Sequence, residues 1–468
     1  MDINELKETS SFHKAFSEKW TLYQNAYSGT TALIESGILS EDIDRDPLDV
    51  SYREKSAWGQ NLSEWIVNII ADFVGLSDFE EDFSAISKDW ALNAFINDCN
   101  MLGTNWDVWW SDIRRAVYAT GMNGIIVDKG KGSGNDAEMK ANGVYPYVSR
   151  YSPLSVLNAI YERDPMSNRP FLSHVKLLES NGTYKFWYQD YWELYKDEDG
   201  KVVLIDGGEN PLGEIPFVWH YNLKDVFNNV LGVSDIVDIA RNDVSIIRLT
   251  ADMAQITNAA AFLMLARPKS AIRDEPELKV GPNEQITFDA DNPGGTKPFW
   301  LTPDVSGPIN AILEIIAKQE MSAIRSKNLN AVFSTMSADA RSGDSIKQAL
   351  KFLEAMLNRK VSNEIEARQN VMKYWLMWQG MEDMEEKISI SHSRSFDVGS
   401  LLVTIADALT AKTTVRSSDT FLKELDKIIV KKVTPDLTTD IYRVISDEID
   451  AAKVVLPDEV SDFKDENG

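Results

Sequence analysis

An α+β chain is what this sequence predicts, on three observations. Helix-period apolar spacing fills much of residues 10–120, and strand-like runs divided by turn signals occupy 145–220. In the middle, two helix-patterned runs, 233–262 and 308–325, bracket a Pro/Gly-rich insert with β-like runs. A second break, 327–344, then leads into the longest helical pattern in the chain. Two rod-like helices joined at one end by a compact β insert and at the other by a flexible loop suit lining and sealing something long better than forming a substrate pocket.

Taken in order, residues 10–27 carry Phe12, Phe16, Trp20, Tyr23 and Tyr27 at helical spacing and stop at Ser28-Gly29. Residues 52–73 predict one amphipathic helix with Trp58, Leu62, Trp65, Ile66 and Ile69 on one side. An acidic helical stretch is expected around 78–100, then a helix through Trp106, Trp109, Trp110, Ile113 and Val117 that closes at Gly121. Ile125 to Val127 is an apolar run expected as a buried strand, and 129–143 is a Gly/Lys/Asp-rich hairpin tip or disordered loop. The runs 145–151, 171–178, 184–191, 192–195 and 202–205, with Asn181-Gly182 and 197–200 as turns, predict an antiparallel meander. After a turn at 209–216, residues 217–220 make a last strand.

The run from Val233 places Asp235 and Asp238 in its first turns, where the helix dipole favours anions. Arg267-Pro268 is expected to end it, since proline lacks a backbone donor. In the insert, 278–280, 285–288 and 298–301 around Asn292-Pro293-Gly294-Gly295 predict short strands and turns. Ile346, Leu350, Leu353, Leu357, Val361 and Ile365 then recur close to the spacing of a helix packed lengthwise on neighbours. The tail predicts a strand at 387–391, helices at 397–409 and 418–431, and a solvated, partly mobile acidic end. From Asp436 that end holds ten acidic and three basic residues.

The whole chain has 468 residues, enough for about three domains, with 43% hydrophobic residues to build cores. Its formal charge of −25 argues against ordinary DNA binding, which uses clustered Lys and Arg. An acidic surface still suits a duplex that must slide without sticking; the plainer alternative is that the charge serves solubility. The single cysteine, Cys99, excludes an intramolecular disulfide and is expected to pack rather than react. The polar, acidic start argues against a signal peptide, and no apolar run approaches the roughly 20 residues a membrane span needs.

Sites for small-molecule chemistry are scarce. Gly130-Lys131-Gly132-Ser133-Gly134 fits neither a P-loop nor a dinucleotide fingerprint, and no helix start follows it. The four histidines, His13, His174, His220 and His392, form no metal-ligand pattern and are expected to be structural or exposed. Acidic pairs are too abundant to mark a glycosidase. The clusters Trp106/Trp109/Trp110 and Trp187/Trp192/Trp219 suit a core better than a sugar or base platform.

Five segments carry a family resemblance through their order. A helix ending in Gly121 is followed by Gly124-Ile125-Ile126-Val127-Asp128. Then come the strand from Tyr147 to Tyr151 with Ser152-Pro153, and the turn and strand Asn210-Pro211-Leu212-Gly213-Glu214-Ile215-Pro216-Phe217-Val218. Gly232-Val233-Ser234-Asp235-Ile236 opens the first long helix, and Ser342-Gly343-Asp344-Ser345-Ile346-Lys347 leads into the last. In this order the chain resembles the portal (connector) proteins of tailed bacteriophages. Those are rings, usually of twelve copies, at one capsid vertex, through which a packaging motor threads DNA.

The resemblance implies a portal fold within the α+β class: a wing over 1–230, a first stem helix over 231–262 and a clip over 263–307. It continues with a second stem helix over 308–326, a tunnel loop over 327–343, a long wing helix over 344–384 and a C-terminal wing or crown region over 385–468. It further implies that Lys327, Asn328, Asn330 and Arg341 touch DNA in the channel. Arg267, Lys269 and Arg273 would meet the terminase large subunit during packaging and a head-tail adaptor afterwards. Major capsid and scaffolding proteins would be further partners, the place would be the virion after assembly in the bacterial cytoplasm, and no catalysis, cofactor, metal or membrane is implied. The alternatives are a carbohydrate-active enzyme built on the Trp-rich acidic half, and another virion structural protein such as a capsid or adaptor subunit.

Overall fold

The chain divides into two units, Met1–Arg394 and Ser395–Gly468. The computed structural model describes residues 2–40, 47–75, 79–132, 136–228, 230–261, 264–268, 285–288, 297–301, 304–327, 329, 343–392, 423, 426, 427, 430 and 439–452.

The first unit begins with α1 (Ile3–Lys7), whose start is closed by Asp2 and Glu5, each side chain accepting the other's backbone N–H. Next come α2 (Ser11–Ser28), capped by the Ser10 hydroxyl, α3 (Thr30–Glu35), α4 (Pro47–Ser56) and α5 (Leu62–Gly75). The single helix expected over 52–73 is therefore two. The cause is tertiary: the Asp243 carboxylate accepts the N–H groups of Leu62 and Ser63, both at 3.0 Å, and so caps α5 from a distant helix. Trp58 and Trp65, expected on one apolar stripe, are 44% and 39% exposed.

The helix expected over 78–100 is also corrected. It is β1 (Phe79–Asp82), a 3₁₀ turn (Ser84–Ile86) and α6 (Trp90–Asn97). β1 pairs antiparallel with Ser389–His392 at the far end of the unit, a partner that no local pattern reveals. α7 (Trp106–Thr120) carries the tryptophans inward and ends at Gly121, left-handed at φ 94. A Cβ on Gly121 would lie 2.5 Å from the Gly232 carbonyl oxygen, and one on Gly232 would lie 2.1 Å from that of Gly121. Only two glycines let these backbones cross so closely.

β2 (Met122–Lys129), α8 (Asp136–Ala141), β3 (Pro146–Tyr151), β4 (Val156–Arg163), β5 (Pro170–Leu178), β6 (Tyr184–Tyr188), β7 (Tyr191–Glu198), β8 (Lys201–Glu209) and β9 (Phe217–Tyr221) follow. β4 to β8 form a meander in chain order; β5 to β8 are the strands expected over 171–205, whereas 145–151 does not belong to it and its place is taken by β4, which is not among the expected meander strands. Instead, β2 runs between β3 and β9, antiparallel to both, in a second sheet of order β3-β2-β9. Alternation identifies a strand but not its neighbours. Ile126, Tyr151, Val156, Val175, Leu177, Trp187, Ile215 and Phe217, drawn from both sheets and their connections, form one buried cluster. Within the expected loop 129–143, α8 is a short helix.

α9 (Ile239–Ala261), β10 (Met264–Pro268), β11 (Gln285–Phe288), β12 (Phe299–Leu301), α10 (Ser306–Ser326), α11 (Gly343–Gln379), a 3₁₀ segment (Glu382–Lys387) and β13 (Ser389–His392) complete the unit. Residues 235–238 are turns leading into α9, so Asp235 and Asp238 precede that helix. Arg267 and Pro268 do not terminate α9; they lie in β10, which pairs parallel with β11 and antiparallel with β12. In the second unit, α12 (Thr439–Ala451) replaces part of the expected mobile acidic end. There Asp450 accepts from Lys427 Nζ at 2.9 Å.

Candidate functional site

The helix pair α9 and α10 is the feature around which a function can be built. The two pack together, with Gln319 Nε2 donating to Ser245 Oγ at 2.8 Å. β10 follows α9 closely and β12 precedes α10, so the three-stranded sheet β11-β10-β12 joins the helices at one end. Phe288 and Phe299 rings meet across this sheet at 5.8 Å. α9 buries Ile239, Ala240, Ile246, Ile247 and Ala251, whereas α10 buries only Ile316 and Ala323. Leu313, Ile315 and Met321 of α10 stand 44–46% exposed; two residues apart, Leu313 and Ile315 lie on opposite sides of the helix, so apolar side chains are half-open on more than one of its faces.

At the other end of the pair, three elements converge on one buried carboxylate. Asp235, just before α9, receives Lys360 Nζ of α11 at 2.6 Å and has Lys327 Nζ, at the C-terminus of α10, 3.9 Å away. Lys360 also bonds the Asn222 side chain and lies over the Tyr118 ring at 4.1 Å. Asn222 in turn donates to the Val233 carbonyl at 2.8 Å, and Asn363 donates to the Asn222 carbonyl at 2.8 Å. Burial lowers the Lys360 pKa, and the Asp235 carboxylate opposes that by favouring the ammonium. Removing either member would leave a buried charge uncompensated.

α11 is held to the rest of the unit by a second ionic cluster. Glu364 takes a two-pronged contact from Arg114, Nε and Nη2 both at 2.8 Å, and a further bond from Arg368 Nη2 at 2.8 Å. Arg368 Nη1 reaches Glu81 at 2.7 Å, and Glu81 accepts the Trp106 indole N–H at 2.8 Å. Burial opposes ionisation of Glu364, but Arg114 and Arg368 outweigh it and hold the carboxyl at about 2. Glu81 moves the other way, because burial outweighs Arg368 there. Farther along, Trp378 Nε1 donates to the Val127 carbonyl at 2.8 Å, seating α11 on β2.

The predicted site residues fall unevenly on this frame. Lys327 caps α10 and is directed at Asp235, with its side chain 20% exposed. Arg267 is half-buried in β10, opposite Thr287 of β11. Asn328, Asn330, Arg341, Lys269 and Arg273 lie outside the described residues, as do 278–280, Asn292 to Gly295 and most of the expected tail helices. Asp235 was visible as a helix-start acid, but Lys360 gave no sign of pairing with it. The i,i+4 spacing of Glu364 and Arg368 was legible in the long helix; their partners Arg114 and Glu81 were not.

The other candidates resolve into structure. Lys131 of the Gly-rich loop bonds Asp206 and the Gly207 carbonyl and lies over Trp192 at 5.0 Å. Trp106, Trp109 and Trp110 are buried against one another, Trp110 edge-on to both neighbours. His13 contacts the Leu154 carbonyl at 3.0 Å, His174 packs on Tyr188, His220 is buried on Trp110, and His392 on Phe79. Cys99 is fully buried, and burial pushes its thiol up to about 12. Among the described residues, no His, Cys, Asp or Glu cluster is placed to hold a metal, and no helix is long and apolar enough to cross a membrane.

No protein-family model and no curated protein matches the chain. Among solved structures, it resembles a chain from the neck of a native gene transfer agent (GTA) particle computed with C12 symmetry. That match has 10% identity and a TM-score of 0.40, over 82% of this chain and 94% of that one. A chain from the neck of the empty GTA particle computed with C6 symmetry matches at 9% identity and TM-score 0.38, over 81% and 94%. A chain from the virion of the native particle matches at 10% and 0.38, over 83% and 96%. Likeness at this level does not establish a family.

Proposed function

We propose that this chain is a portal-type subunit that closes into a ring, conducts double-stranded DNA through its centre and docks the packaging and tail machinery at its clip. The half-exposed Leu313, Ile315 and Met321, spread over more than one face of α10, carry the reading, because a stem helix needs neighbouring copies to bury such side chains. The order of helix, small sheet, helix and long helix supports the same assignment. An overall charge of −25 suits a wall along which a duplex slides, with Lys327, Asn328, Asn330 and Arg341 as the local places of contact. Arg267, Lys269 and Arg273 face the motor and adaptor in this scheme. The carbohydrate-enzyme alternative loses most of its platform, since Trp106, Trp109, Trp110 and Trp187 are buried and Trp192 and Trp219 are half-buried.

Sedimentation and negative-stain imaging of the purified chain test the proposal. Closed rings viewed along an axis, about twelve copies, are the expected result. A compact single-copy particle at every concentration would refute the conduit, and an open or filamentous assembly would point to another structural role.

A further inference from the structure

Asp235 holds two cations of unequal standing. Lys360 Nζ lies 2.6 Å from Oδ2, and the two side chains are 0% and 3% exposed; Lys327 Nζ lies 3.9 Å from Oδ1, and its side chain is 20% exposed. The first is a buried hydrogen-bonded pair, while the second is too long for a hydrogen bond and reaches water on one side. Lys360 is held further by the Asn222 side chain and the Tyr118 ring.

The charges around this point do not balance one to one. Asp235 favours the ammonium of Lys360, and both Lys327 and Arg359 oppose it. Glu364, one turn along α11, is taken up by Arg114 and Arg368, and Asp238, three residues past Asp235, is exposed. One buried carboxylate therefore serves two ammonium groups, and the deeper of them already neutralises it. Withdrawing Lys360 would strand a buried charge. Withdrawing Lys327 leaves the buried pair whole and takes a like charge away from Lys360.

Lys327 can make that move with its side chain alone. Leu329, just beyond it, is fully buried, and its N–H donates to the Ile324 carbonyl at 3.2 Å, which fixes the turn after α10. Rotation of the four-carbon lysine stem supplies the reach. We infer that Asp235 is a shared latch in which Lys360 is the fixed partner and Lys327 an exchangeable one, held on Asp235 until a phosphate oxygen of duplex DNA takes its ammonium. A phosphodiester oxygen is an anionic acceptor of the same kind as a carboxylate oxygen and competes for the same donor. Each Lys327 that engages a phosphate gives up Asp235, so its net attraction is smaller than that of a free lysine, which suits a duplex that has to slide. The inference rests on the DNA channel proposed above and adds how one of its contacts is regulated.

The test measures binding of a short labelled duplex to rings of the full chain at two salt concentrations. Lys327→Met should weaken binding about threefold or more and make it less steeply dependent on salt. Asp235→Asn combined with Lys360→Met removes the carboxylate and its buried ammonium together, so no buried charge is stranded and Lys327 is freed. That pair should strengthen binding about threefold or more, and adding Lys327→Met should cancel the gain. Lysine methylation of the unaltered chain, read by mass spectrometry, checks the latch without any substitution. Lys327 should react slowly at low salt and several-fold faster at about 1 M, where screening weakens its contact, while Lys360 stays unmodified. Rings that bind the duplex identically with and without Lys327→Met would overturn the exchange and leave the channel standing. No gain from the Asp235 and Lys360 pair in a folded ring, or a Lys327 equally reactive at both salts, would mean that Asp235 does not hold it, and the latch would fall. A chain that forms no ring, or rings that bind no duplex at any salt, would sink the channel and the latch together.

Discussion

Glu364 and His220 show how single side chains tie this fold to pH. Burial first, then the nearby Arg114 and Arg368, hold His220 at about 4, below its ordinary 6.5, against the pull of Glu364. The unfolded chain takes up a proton through that interval and the folded chain does not, so stability is full above about pH 6.5 and falls as pH drops toward 4. The interval corresponds to roughly 3 kcal/mol. Glu364, held at about 2 against an ordinary 4.5, adds a second loss between those values. Acid unfolding midpoints should therefore decline in two stages, and His220→Gln should flatten the first. His174, lowered by burial and by Lys176, acts in the same direction, so the comparison is variant against parent. An unchanged slope in His220→Gln would contradict the assignment. At the same scale, Lys327→Ala with Arg341→Ala should leave rings intact, because Asp235 keeps Lys360. The double variant should lower the amount of DNA retained in heads; heads that fill and hold DNA normally would place the constriction elsewhere.

At the scale of elements, α10 and the β10–β12 sheet make separable predictions. Leu313→Asp with Met321→Asp on α10 should abolish ring assembly yet barely change subunit unfolding, because both side chains are already 45% and 46% exposed. A loss of fold with the pair would mean that these two side chains are covered within the subunit. Deleting 278–298 should give folded single copies with weakened ring formation, measured by sedimentation at matched concentration; intact rings would count against the clip. The element plan was largely legible: α2, α7, α10, α11 and strands β5 to β8 stand where apolar period and turn chemistry put them. The misplaced elements share one cause. β1 needs β13, the break before α5 needs Asp243, and β10 needs β11 and β12. Each depends on a partner distant in sequence, to which a local window is blind.

For the whole molecule, the expectation is a conduit without turnover. Purified rings should show no ATP or glycan hydrolysis that a single carboxylate substitution removes; such an activity would overturn the proposal. The site was legible only as a layout. The bracketing of a β insert by two helices, and the long helix after a polar break, pointed to the helix–sheet–helix arrangement of α9, the β10–β12 sheet and α10. The convergence of α9, α10 and α11 on Asp235 did not appear in any pattern.

The sequence by itself determined most of the long helices and the strands over 171–205, that Cys99 packs, that Trp106, Trp109, Trp110 and Trp187 form core, and that the chain carries a large negative charge. These follow from side-chain period, size and charge, which act over a few residues or over the chain as a sum. Only the tertiary structure decided that β3 and β9 flank β2 and that Lys360 and Lys327 share Asp235. Pairing, burial and exposure are properties of contacts between distant residues, and the free energy that selects them arises only once those surfaces meet.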